Sequence, residues 1–212
     1  MSLPLYEKYR PSKLSEVVGQ PKAVKQIESV GDPGGKSYWI SGASGTGKTT
    51  LAKIIGALIA DDFFVSTTVG RAFTVKAIKE TVQDWQLSAW GKGGRAYIIN
   101  ESHGLSAPSI ELLLDVLEMI PAHVVVIFTT TKEGQAELFE DHIDASPLCS
   151  RCFDIALTNQ GLAKLFAAHV QGIAQLEGLD GQPIAAYIKL AQKCKNNMRA
   201  MLQAVAAGVM KI

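Results

Sequence analysis

Gly42–Thr49 reads GASGTGKT, between an apolar run at Ser37–Ser41 and a helical pattern from Lys48 to Ile59. The pattern G-x-x-x-x-G-K-[ST] in a strand–loop–helix setting admits few folds. Its glycines let the backbone wrap an anion with the N–H groups pointing inward, in conformations that a side chain would block. The start of the following helix adds positive potential. Gly45, Thr46, Gly47, Lys48, Thr49 and Thr50 are therefore the expected phosphate-holding residues. Lys48 is placed to reach the β- and γ-phosphates and Thr49 to ligate Mg²⁺, so the expected ligands are ATP and Mg²⁺.

The rest of the chain agrees with such a loop. Strand-like runs at Ser37–Ser41, Phe63–Ser66, Ala96–Ile99, Val124–Thr129 and Phe153–Leu157 are separated by helical patterns at Lys48–Ile59, Thr74–Trp85 and Ser109–Met119. Strands with little internal alternation, separated by helices, predict an α/β fold with a parallel five-stranded sheet flanked by helices. Val75, Ile78, Val82 and Trp85 share one helical stripe, as do Ile110, Leu113, Leu114 and Leu117. Beyond Leu157 only helices are expected, at 159–176, 183–194 and 197–210, with an N-cap at Thr158-Asn159. The predicted organisation is a nucleotide-binding domain at 1–157 followed by a small all-helical lid at 158–212.

Composition narrows the function. The chain has 212 residues, is 47% hydrophobic and 19% charged, and carries a net charge of +1. No apolar run is long enough to span a membrane, and the N-terminus lacks the order of a signal peptide. Cys149, Cys152 and Cys194 are too few for a disulfide framework, and one C-x-x-C lacks the four ligands of a closed zinc site. The expectation is a protein that is not secreted, with reduced cysteines, in the cytoplasm or, in a eukaryote, the nucleus. With so little net charge, any contact to nucleic acid must come from a local patch.

Five short segments occur in a telling order: YEKYRPSKLSEVVGQ (Tyr6–Gln20), the phosphate loop, YIINES (Tyr97–Ser102), SRC (Ser150–Cys152) and NNMRAMLQAV (Asn196–Val205). Together they resemble the clamp-loader branch of the AAA+ ATPases, including replication factor C small subunits, their phage counterparts and the bacterial tau/gamma subunit. No cysteine cluster lies between the phosphate loop and YIINES, which is unlike the zinc-bearing tau/gamma type. The resemblance implies that Tyr9, Arg10 and Val18 border the adenine and ribose, and that Glu101 polarises the attacking water. It also implies that Thr131 is the sensor 1 residue, with Thr130 as runner-up. Arg151 matches an arginine finger acting on a neighbouring subunit's nucleotide. Arg199 matches a lid arginine that reaches the γ-phosphate in the same chain.

Further expectations follow from the resemblance. The partners are other clamp-loader subunits, a sliding clamp touching the region of Ser109–Met119, and primer–template DNA; no membrane is involved. Lys76, Lys79, Ser106 and Ser109 are the candidate DNA contacts. The full-length protein is expected to oligomerise, although the helical collar of such subunits is absent from this chain. Two departures stand out. Asn100 occupies a position usually held by an acidic residue, so its support of Mg²⁺ through water is weak, because the amide keeps an acceptor but loses the charge. Slower or more metal-demanding hydrolysis is expected. The alternatives are a subunit that binds ATP without hydrolysing it, or another AAA+ motor such as a branch-migration helicase or helicase loader. The second departure is an acidic segment at Lys132–Cys149, carrying Glu133, Glu137, Glu140, Asp141 and Asp144.

Overall fold

The structure, a computed structural model, describes residues 3–87, 89–131 and 146–211. Five strands make one sheet: β1 (Lys36–Ser41), β2 (Val65–Val69), β3 (Arg95–Asn100), β4 (Val124–Thr130) and β5 (Phe153–Ala156). Their order is β2-β3-β4-β1-β5, and every neighbouring pair is parallel. This is the expected α/β sheet. All seven residues of β4, VVVIFTT, are buried, because β4 lies between β3 and β1.

Period-2 geometry sends alternate side chains to opposite faces. Tyr38, Ile40, Ile98, Val125 and Ile127 pack on one face against Leu51 and Ile55 of α3 (Lys48–Ile59) and Ile27 of α2 (Pro21–Val30). Trp39, Tyr97, Ile99, Val126 and Phe128 pack on the other, against α4 (Val75–Asp84) and α5 (Ala107–Glu118). The predicted stripes supply much of that layer, with Ile78, Trp85, Ile110, Leu113 and Leu117 buried.

A third core is helical. It is built from α7 (Ala163–Leu176), α8 (Ile184–Lys193) and α9 (Met198–Ala206), around Phe166, Val170, Tyr187, Met201 and Val205. Leu157 belongs to a sheet core and Leu162 to the helical one. Leu5, on the one-turn helix α1 (Leu5–Lys8), also buries itself among the lid residues, while Leu14 and Val17 pack against the sheet core. Among the described residues no helix is long and apolar enough to cross a membrane.

Three local expectations shift. Phe63 is 90% exposed in a 3₁₀ turn, Asp62–Phe64, and the strand begins only at Val65. Thr158 does not cap the first lid helix; its hydroxyl accepts from the Gln160 N–H at 3.0 Å in a turn, and the helix starts at Ala163. Val209, inside the helix expected at 197–210, is exposed because α9 ends at Ala206. Glu133, Glu137, Glu140, Asp141 and Asp144 of the acidic segment lie outside the described residues.

Candidate nucleotide site

One cleft gathers the phosphate loop, the N-terminal segment and the lid. Tyr9, Arg10, Val18, Gly45, Thr46, Gly47, Lys48, Thr49, Thr50, Glu101 and Arg199 all line it. Gly45 and Gly47 take φ of 74° and 104°, the left-handed region that a glycine enters at little cost. Lys48 is 8% exposed, and its ammonium donates to the carbonyls of Gly42 at 2.9 Å and Ala43 at 3.0 Å. A cation buried against backbone dipoles at a helix N-terminus suits a polyanionic ligand.

Asn100 ends β3 opposite this loop. Its side-chain oxygen accepts from Thr49 Oγ1 at 3.2 Å and from Thr129 Oγ1 at 2.9 Å. The pair of hydroxyl and amide oxygens is a hard, neutral donor set that fits Mg²⁺ through water but adds no charge. Glu101 follows with φ 51°, an uncommon conformation for a residue with a side chain. A Cβ on Gly70 would lie 2.5 Å from the Glu101 carbonyl, so only glycine allows this turn beside β2. The Glu101 carboxylate is 3.6 Å from His103 Nδ1, which is in turn 3.3 Å from Thr130 Oγ1.

The N-terminal segment and the lid close the other sides. Arg10 forks onto Glu7 at 3.0 and 2.5 Å and donates to Thr50 Oγ1 at 3.2 Å. The Arg10 bond holds the Glu7 carboxyl below its ordinary range. Met198 N–H donates to Gly45 O at 3.3 Å, and a Cβ on Gly45 would overlap the Asn197 carboxamide. Asn197 caps α9 by accepting from Ala200 N at 3.1 Å, which fixes the first turn carrying Arg199. The Arg199 guanidinium stands 5.6 Å from the centre of the Tyr6 ring, within cation–π range. Gln20, only 3% exposed, ties the junction: it donates to Thr158 O at 2.7 Å and accepts from Thr158 N at 3.1 Å.

Glu177, just after α7, accepts from Lys8 at 2.6 Å and from the Tyr9 hydroxyl. The Lys8 bond, with the Tyr9 bond beside it, holds the Glu177 carboxyl below its ordinary range. A carboxyl depressed by folding stabilises the folded state above its unfolded pKa and loses that effect as pH falls through the folded one. The difference in unfolding midpoint between the protein and Glu177→Gln is therefore expected to be constant above about pH 5 and to vanish at lower pH. A difference that grew on acidification would be the wrong sign for this tie.

Several expected site residues lie elsewhere. Thr131 sits one position past β4 and does not line the cleft; Thr129 is the β4 hydroxyl bonded to Asn100. Ser109 is 1% exposed and shares a 2.9 Å bond with Ser106, the cap of α5, so its hydroxyl stabilises the helix start and cannot reach DNA. Ser106, Lys76 and Lys79 are exposed, and Lys76 lies 3.8 Å from Glu80. Arg151 follows α6 (Ser146–Ser150), does not line the cleft, and pairs with Glu118 at 2.7 Å.

The sequence reading missed Tyr6, Phe166, His169, Met198 and Leu202, which also line the cleft. Met198 and Leu202 flank Arg199 on the lid helix, so their spacing was a usable signal. Phe166 and His169 lie inside the helix expected at 159–176, where nothing local marks them as cleft residues. Burial pushes the His169 pKa down, keeping a neutral imidazole at the cleft wall.

Comparison with known proteins bears on the family. No family model matches the chain. The DNA polymerase III subunit gamma/tau of Mycoplasma pneumoniae is 31% identical over 152 residues, 60% of this chain and 22% of that protein. The replication factor C small subunit of Halobacterium salinarum is 26% identical over 180 residues, 82% of this chain and 53% of that one. In sequence the chain is similar to these clamp-loader subunits. The chain spans 22% of the length of the first of those relatives and 53% of the second. Among solved structures, RuvB of Thermotoga maritima superposes with a TM-score of 0.72 at 21% identity, over 93% of this chain and 64% of that one; it shows the shared fold.

Proposed function

We propose that this chain is the nucleotide-binding, ATP-hydrolysing part of a sliding-clamp loader acting in DNA replication. The observation that carries the reading is the convergence of Lys48 and Thr49 from the start of α3, Glu101 from the end of β3 and Arg199 from the lid on one cleft, while Arg151 lies outside it. That split gives each chain a nearly complete site and one cation to offer to another.

Within the cleft, Lys48 and the loop N–H groups bind the phosphates, and Glu101 orients a water for in-line attack. Bound Mg²⁺ would neutralise charge on the β- and γ-oxygens. Thr49 and Asn100 are the residues that would hold it. Arg199, on a helix bonded to the loop through Gly45, reports lid position to the γ-phosphate. Tyr9, Arg10 and Val18 form the wall for base and ribose. The partners on this reading are sibling loader subunits, the clamp, and primer–template DNA met by Lys76, Lys79 and Ser106. Full-length protein mixed with a candidate clamp and primed DNA is expected to show stimulated ATP turnover; a rate indifferent to both would remove the loader assignment.

Asn100 makes the metal requirement adjustable. Asn100→Asp restores a negative charge beside Thr49 while keeping an acceptor for Thr49 and Thr129. The Mg²⁺ concentration for half-maximal turnover is expected to fall about tenfold, equivalent to about 1.4 kcal/mol. An unchanged metal requirement together with no turnover in either protein would favour a subunit that binds ATP without hydrolysing it.

A further inference from the structure

Arg151 is held at both ends. Its carbonyl accepts from Ser37 Oγ on β1 at 2.8 Å, and its N–H donates to Leu148 O at 3.2 Å, with Leu148 fully buried. Beyond the backbone, Nε and Nη2 donate to one Glu118 oxygen at 3.0 and 2.7 Å, and Nη1 donates to Pro147 O at 3.0 Å. A guanidinium has five N–H donors. Among the described residues three are taken, which leaves one on Nη1 and one on Nη2. Those two share the outer edge of the fork, the edge that suits a phosphoryl oxygen.

Glu118 is an odd choice for its position by local rules. It is the last residue of α5, where the helix dipole disfavours a carboxylate. At 63% exposed, its ion pair adds little to stability. Its platform, however, is rigid: Leu113, Val116 and Leu117 of the same helix pack in the core that contains Leu148.

We propose that Glu118 is the positioning residue of the arginine finger, orienting the Arg151 guanidinium so that its outer edge faces an adjoining subunit's nucleotide. The inference rests on the reading of Arg151 as a trans-acting group. Without the pair, a rotamer-rich side chain must be ordered at each turnover, and small misplacements of a charge-stabilising group are costly to rate.

The test uses the assembled full-length protein with Glu118→Ala, Glu118→Gln, Arg151→Ala and the Glu118→Ala/Arg151→Ala double variant, read by single-turnover hydrolysis, ATP affinity and thermal midpoint. Glu118→Ala is expected to lower the rate about tenfold with ATP affinity and midpoint unchanged. Glu118→Gln, which keeps an acceptor, should fall between, and Glu118→Ala should add nothing once Arg151 is gone. A Glu118→Ala rate within twofold of the parent, or a full tenfold loss persisting in the Arg151→Ala background, overturns the proposal while leaving the finger intact. If Arg151→Ala itself hydrolyses normally, the finger reading fails and the Glu118 proposal falls with it.

Discussion

Arg151→Ala is expected to slow ATP turnover of the assembled protein by a factor on the order of 10³ while leaving ATP affinity within about twofold. The asymmetry comes from geometry. Arg151 is absent from the lining of its own chain's cleft, where Lys48, Thr49, Glu101 and Arg199 meet. On the proposed reading, a cation that touches no ligand in its own chain acts on charge that develops in another chain's site. Such a group affects the rate and leaves binding alone. Mixing experiments sharpen the point. Arg151→Ala chains retain a working cleft, and Lys48→Ala chains retain a working finger, so co-assembly of the two should restore part of the turnover that each lacks alone. No recovery, with assembly verified by size, would place the arginine outside the chemistry.

Much of this fold was legible because its physics is repetitive. Strands β1, β3 and β4 are continuous apolar runs, and such runs are buried on both faces wherever they occur in a parallel sheet. Edge strand β2 obeys no such rule. Its residues Val65–Val69 are mostly half-buried or exposed, so hydrophobicity pointed instead to Phe63, which the structure leaves in solvent. The start of α7 was misplaced for a related reason: Thr158 has the chemistry of a cap but uses it on a turn.

In the site, legibility followed the backbone. The phosphate loop could be read because its conformations require glycine, and Lys48 and Thr49 came with it. Residues whose role depends on a partner distant in sequence were harder to place. Ser106 and Ser109 looked like surface hydroxyls at a helix start, yet one caps the helix and the other is buried beneath it. Three consecutive threonines end VIFTTT, and periodicity alone cannot say which hydroxyl reaches Asn100; the sheet register gives that contact to Thr129. Glu118 and Glu177 are single charges at helix ends. Their meaning lies in Arg151 and in Lys8 and Tyr9, which no local pattern connects to them.

Lys48→Ala should weaken ATP binding about 100-fold, measured by calorimetry, with the fold intact. In the present arrangement the ammonium is nearly buried and donates to Gly42 and Ala43. On ligand binding, such a group gains charge-assisted bonds to phosphate oxygens, each worth about 1.5–3 kcal/mol. Removing it forfeits about 2.7 kcal/mol, which is the 100-fold. Stability is expected to change little, because a desolvated cation is itself unfavourable and its loss offsets the two backbone contacts. Separating binding from folding matters here, because the Gly45 carbonyl also anchors the lid through Met198. A variant whose loop collapsed would release the lid and lower the unfolding midpoint along with affinity. The expected pattern is low affinity with an unmoved midpoint. Affinity within threefold of the parent would mean that the loop binds its anion through the backbone alone, and that the lysine is a structural plug.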